Sequence, residues 1–365
     1  MKTTAAVLYE VNQPLVVEQL DIDAPKNGEV RVKIASAGVC HSDYHCMKGE
    51  WTVPLPMVLG HEAAGIVESI GPGVTNVVPG DHVILNFRPN CGWCKFCTVG
   101  RPVLCNGADT DRWMMFDGTA RLHKNGSDVF HFARTASFSE YAVVNHSGVV
   151  KVRDDMPLDK ACLVGCSVMT GVGAVINTAK VNPGDSVVVI GCGGVGLNVI
   201  QGAVLAGAGK IIAVDLLENK LGYALQFGAT HVINAGTTDA VAEIHDLTYG
   251  GADHAFEAIG NSRTILQAYQ ATCLGGVTTI VGMAAETDEV AINCLSLPRT
   301  EKTIQGSWYG GARPSVDLPK MVDLYMEGKL KVDELVSRTY PFDQINEAYA
   351  ALDSGEVARS ILLFD

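Results

Sequence analysis

No run of basic residues occurs in the chain, and 27 lysines and arginines against 40 aspartates and glutamates leave a net charge of -13. A field of that sign repels phosphate backbones, so nucleic acid is not an expected partner. A secretory signal is also lacking: Met1 to Leu15 offers one lysine and only a four-residue apolar block before Tyr9 and Glu10. No stretch reads as a membrane span. Val187 to Ala208 comes nearest to bilayer length, but seven glycines in 191–209 and the lack of aromatic belts fit a strand, a tight turn and a buried helix better. Without a secretion signal, the eleven cysteines do not suggest a disulfide framework. They read as metal ligands plus buried thiols, and a reducing, cytoplasmic setting is the expectation.

What is present is enough for two domains: 365 residues, 47% of them hydrophobic, 18% charged, with 39 glycines for turns and close backbone approaches. The first part is β-rich. Glu29 to Ile34 alternates with period two, placing Val30, Val32 and Ile34 on one face of a half-buried antiparallel sheet or small barrel. Metal-capable residues then gather at strand ends, first in Cys40-His41-Ser42-Asp43-Tyr44-His45 and again in Gly60-His61-Glu62-Ala63-Ala64-Gly65. Cys91, Cys94, Cys97 and Cys105 form C-x2-C-x2-C-x7-C. Four thiolates with no histidine match a closed tetrahedral structural zinc site, with an iron–sulfur cluster as the alternative. Asn106 to Ala136 shows little periodicity and reads as a surface excursion. Leu158 to Ala179 reads as a helix with Cys166 and Thr170 on one face. Cys166 is a third-ligand candidate beside Cys40 and His61.

From Asp185 the rhythm is βα. A strand over Val187 to Ile190 leads into Gly191-Cys192-Gly193-Gly194-Val195-Gly196, then a helix, then a strand ending in Asp215. That is the context a dinucleotide fingerprint requires: Gly191 for the turn, Gly193 for approach of the diphosphate, Gly196 for helix–strand packing. Asp215 would accept hydrogen bonds from ribose hydroxyls and repel a 2′-phosphate, which favours NAD over NADP; Lys220 is near enough to add a donor. Further strands over 230–234, 253–258, 277–281 and 303–307 complete six parallel strands. Val357 to Phe364 ends the chain as a strand, suggesting a return to the first domain.

On these motifs, in this order, the chain resembles the zinc-dependent alcohol dehydrogenases of the medium-chain dehydrogenase/reductase superfamily over nearly its whole length. The resemblance implies an α/β protein with a GroES-like β-rich catalytic domain over 1–167, including the cysteine lobe. It further implies a Rossmann domain, doubly wound on a six-stranded parallel sheet, over 168–308, and a segment over 309–365 returning to the first domain. It also implies two zinc ions per chain, one held by Cys40, His61 and Cys166 with a fourth position open, and NAD as the cofactor, for the interconversion of small alcohols with aldehydes or ketones. By the same resemblance Ser42 and His45 relay the alcohol proton, Asp43 orients the ligand histidine, and Glu62 is a buried acid behind the metal. His41 and Arg359 would meet the diphosphate, Thr170 and Val195 would lie beside the nicotinamide, and Trp51 and Phe87 would border the substrate channel. A homodimer is expected, with a homotetramer as the alternative. The glutathione-dependent formaldehyde branch carries an acidic residue and an arginine where Trp51 and Asp109 stand here, which argues against a glutathione adduct and leaves a thiol adduct as the alternative substrate class. A zinc- and nucleotide-binding protein without activity is the reading from another class.

Overall fold

The computed structural model describes residues 1–107, 111–354 and 358–365. Asp109 and Val357 therefore lie outside the described residues. The chain divides into two compact units, one made of Met1–Cys166 with Arg313–Asp365, the other of Ser167–Ala312.

The first unit is β-rich. Strand Glu29–Gly38 buries Val30, Val32 and Ile34, as its alternation predicts, and pairs antiparallel with Ala63–Ile70, Tyr141–Asn145 and Arg359–Leu363. The C-terminal strand thus completes the sheet on which the metal-capable residues sit. A closed barrel of Lys2–Leu8, Val16–Ile22, Leu122–Lys124, Ser127–His131 and Met57–Val58 adjoins it in sequence.

The stretch 106–136 is not a surface excursion. It contributes the hairpin Leu122–Lys124 and Ser127–His131, turned through Asn125 and Gly126, both at positive φ. It also delivers Arg121, fully buried, to Glu29: Nε donates to Oε2 at 2.8 Å and Nη2 to Oε1 and to Asp117. Period-two reading missed this because strands of three and five residues are too short to show a clear alternation.

Beside that pair, His131 is 1% exposed, and its Nε2 accepts from the Arg121 amide at 2.9 Å. Burial, then the positive charge of Arg121, pushes its pKa down to about 3. The unfolded chain therefore binds a proton near pH 6.5 that the folded chain refuses until about pH 3. Stability from this site is complete above pH 6.5 and declines as the pH falls toward 3. Urea unfolding across that range should show the decline, and His131→Gln should flatten it; an unchanged pH slope in the variant contradicts the assignment.

The second unit holds a six-stranded parallel sheet in the order His231–Asn234, Lys210–Asp215, Ser186–Ile190, Ala252–Glu257, Thr272–Ile280, Thr303–Gly306. The order reverses between Ser186–Ile190 and Ala252–Glu257, the switch point where such sheets bind ligands. Val187 to Val189 are wholly buried, which explains an unbroken apolar run in place of alternation. Leu158–Ala179 is the one helix among the described residues with the length and apolarity of a membrane span, and 83% of its most apolar window is buried inside the protein.

Candidate metal and nucleotide sites

Cys40, His61 and Cys166 converge, all buried, with their ligating atoms within 4.8 Å of one another. Each is placed by a different device. Cys40 caps the helix His41–Lys48, and Cys166 lies in a π-helical segment, Val164–Val168, where the widened turn alters the four-residue spacing expected to align it with Thr170. Thr170 falls in the following α-helical segment, Met169–Gly173. His61 follows Gly60, whose φ of 90° and close approach to the Phe138 amide, 2.6 Å from where a Cβ would stand, leave room for no other residue.

Cys166 Sγ lies 3.4 Å from His61 Nε2, so Nε2 faces the sulfurs, and the other ring nitrogen, Nδ1, lies 3.1 Å from the buried Asp43 carboxylate. That carboxylate is itself fixed by the Gly60 amide at 2.8 Å. A histidine clamped this way presents Nε2 as the ligating atom. The hydrogen bond with Cys166 and the charge of His61, opposed by burial, hold the Cys40 thiol well below its ordinary range. Burial opposes charge on His61, but Asp43 and Cys40 outweigh it and lift its pKa to about 10. The site therefore favours anionic sulfur around a positive centre. Two thiolates and one imidazole are the donor set of an open catalytic zinc site.

Glu62 is fully buried behind these ligands and accepts from Arg359 Nη2. Gly38 makes the space: a Cβ there would stand 2.6 Å from the Glu62 carboxylate carbon. Arg359, expected on a diphosphate, is thus 4% exposed and engaged with Glu62, while its Nε has no hydrogen bond. His41 is exposed at the start of its helix.

Ser42 Oγ is 3.8 Å from Cys40 Sγ, and His45 stands three residues on along the same helix face. Phe87 meets the His61 ring edge-on at 5.2 Å, whereas Trp51 stacks on His45 at 4.7 Å. Sequence reasoning missed Phe132, whose ring is 5.5 Å from that of His61, and Trp113, stacked on Phe132 at 5.7 Å. The hairpin signal Asn125-Gly126 just ahead of Phe132 is the clue that would have found it.

Cys91, Cys94, Cys97 and Cys105 bring their sulfurs within 4.8 Å of one another as free thiols. Backbone amides point at sulfur, from Cys91 to Cys105 Sγ at 3.2 Å and from Cys94 to Cys91 Sγ at 3.3 Å. The amides of Cys97 and Asn106 hold the Cys94 thiol down, to about 6. Four sulfurs in a loop that supplies amide donors fit a tetrahedral metal ion.

In the second unit Gly191 turns at φ 96°, and a Cβ on Gly196 would strike the Gly191 carbonyl at 1.8 Å. Gly193 caps the helix Gly194–Leu205, and nothing lies within 4 Å of where its Cβ would be. This leaves a cradle at a helix N-terminus open to a diphosphate, with Val195 in the first turn. Asp215 is held by its neighbours: Oδ2 accepts from the Cys192 amide at 2.8 Å, and Oδ1 from Leu216 and Leu217. Lys220 lies close enough to influence the buried Cys192 thiol, which burial and Asp215 push upward.

Comparison with known proteins agrees with both halves. Residues 26–154 match the alcohol dehydrogenase GroES-like domain and residues 194–327 the zinc-binding dehydrogenase domain. An S-(hydroxymethyl)glutathione dehydrogenase of Saccharomyces cerevisiae is 43% identical, with 100% of this chain and 97% of that protein covered. An NDMA-dependent alcohol dehydrogenase of Amycolatopsis methanolica is 40% identical over 100% of this chain and 99% of its own. The crystal structure of a benzyl alcohol dehydrogenase from Acinetobacter calcoaceticus superposes with a TM-score of 0.93 at 36% identity, covering 100% of both chains.

Proposed function

Because the chain belongs to the zinc-dependent alcohol dehydrogenases of the medium-chain dehydrogenase/reductase superfamily, we propose that it oxidises small primary alcohols to aldehydes, reversibly, with NAD and two zinc ions per chain. The observation that carries this reading is the convergence of Cys40, His61 and Cys166 with Asp43 behind the histidine. Zinc there supplies a Lewis acid that makes a bound hydroxyl easier to deprotonate. The protein does the rest. Asp43 keeps His61 in one tautomer, Ser42 accepts the hydroxyl proton, His45 passes it to water, and Phe87 and Phe132 exclude water from the metal. A bound nicotinamide would supply the acceptor for the hydride of the carbinol carbon. Gly191, Gly193, Gly194 and Gly196 would hold the diphosphate. Asp215 and Lys220 would hold the ribose, and Thr170 and Val195 the nicotinamide side. Trp51 is assigned to the mouth of the substrate channel.

A homodimer belongs to the same reading. Thr303–Gly306 ends the parallel sheet with an open edge, which suits pairing with a second copy. A cytoplasmic location is part of the same proposal, because seven of the cysteines and histidines gather in two metal-capable clusters, which suits a reducing setting.

The test is a panel of alcohols and aldehydes followed at the nicotinamide absorbance with NAD and NADP in parallel. NAD should be preferred by roughly 100-fold in kcat/KM, and Asp215→Gly should erase most of that preference. Formaldehyde with and without glutathione is part of the panel. Turnover confined to the formaldehyde–glutathione pair would replace simple alcohols with a thiol adduct as substrate.

A further inference from the structure

The helix His41–Lys48 ends at Gly49, whose φ of 72° reverses the chain. The Glu50 amide then donates to the His45 carbonyl at 2.9 Å and the Trp51 amide to the same oxygen at 3.4 Å. This capping turn folds two side chains back over the His45 ring. The Glu50 carboxylate meets Nδ1, and the Trp51 indole stacks on the ring face at 4.7 Å with 22° between planes. Nε2 is left without a hydrogen bond among the described residues. The His45 side chain is 18% exposed, enough for exchange with water along one edge only. The other ionisable groups of the helix face elsewhere: Lys48 lies over the Tyr44 ring at 5.0 Å, and the His41 ring meets Tyr44 edge-on.

We propose that Glu50 is a positioning residue for proton release, holding His45 in the tautomer that is protonated at Nδ1 and basic at Nε2, with Trp51 locking the ring plane. The inference rests on the reading of His45 as the last protein group of the relay. The step balances simply. As the carbinol carbon gives up hydride to the nicotinamide that the proposed function requires, the hydroxyl proton is relayed to His45 Nε2, the imidazolium keeps its Nδ1 proton hydrogen-bonded to the Glu50 carboxylate, and Nε2 then gives its proton to solvent. A carboxylate on Nδ1 both fixes which nitrogen accepts and stabilises the transient cation.

The experiment pairs nitrogen-15 imidazole spectra of the holoenzyme with kinetics of Glu50→Gln, Glu50→Asp and His45→Asn. His45 should show a protonated Nδ1 in the parent protein and in Glu50→Asp, and a mixture of tautomers in Glu50→Gln. Glu50→Gln should lower kcat roughly tenfold in dilute buffer with KM held within twofold, and concentrated small-base buffer should restore most of it. A tautomer unchanged in Glu50→Gln overturns the proposal whatever the kinetics. If the tautomer shifts and His45→Asn is slow but Glu50→Gln is not, the proposal falls and the relay stands. If His45→Asn turns over like the parent, the relay reading itself falls.

Discussion

Cys166→Ser should leave one zinc per chain in place of the proposed two, and lower kcat/KM by about three orders of magnitude. Loss of a Lewis acid worth several kcal/mol gives a factor of that size. The neighbouring acids are poorly placed to replace this sulfur: Cys166 faces His61 Nε2 at 3.4 Å, while Asp43 is on the Nδ1 side of the ring and Glu62 is engaged with Arg359. The fold should survive, because the buried apolar core of this unit is built from residues other than Cys166. Cys94→Ser is the contrast. It also removes one zinc, but from a loop with little buried apolar surface, so the lobe loosens and the melting temperature drops while turnover falls much less. Metal analysis, kcat/KM and melting temperature on both variants check the division. Equal losses of melting temperature would contradict it.

The second large effect lies away from the chemistry. Arg121→Leu should destabilise the protein by about 3–5 kcal/mol, because it leaves the Glu29 carboxylate buried with no opposite charge. Changing both, Glu29→Leu with Arg121→Leu, should recover more than half of the loss, since a buried pair and a well-packed apolar pair are often close in free energy. Urea midpoints of the three variants measure this. A single-variant loss below about 1 kcal/mol would mean that solvent reaches the pair from the Asp117 side.

The two variants also mark what the sequence made legible. The cysteine lobe and the glycine turn were readable because their residues are local and each spacing has one geometric reason. The three-residue ligand set was not readable from spacing, since residues 40, 61 and 166 are joined only by tertiary structure; resemblance to a family supplied that link. Phe132 and Arg121 stayed hidden because their hairpin strands are short and because a buried arginine violates the usual rule of burial. Glu50 stayed hidden for a different reason: its role depends on a reversal at Gly49 that no periodicity announces. The π-helical segment at Val164–Val168 was equally invisible, as its sequence is an ordinary apolar helix.

The spacing of the two ligand sets has a consequence for how the protein is born. Closing a loop over Cys91–Cys105 removes little chain entropy, so those thiols can capture an ion while the remainder is still unfolded. Bringing residue 40 to residue 166 requires closing a far longer loop, and the sheet that supports Cys40 is completed only by Arg359–Leu363 at the end of the chain. If both clusters take up zinc as proposed, one ion can therefore serve as an early staple during synthesis, whereas the other must wait for the last strand.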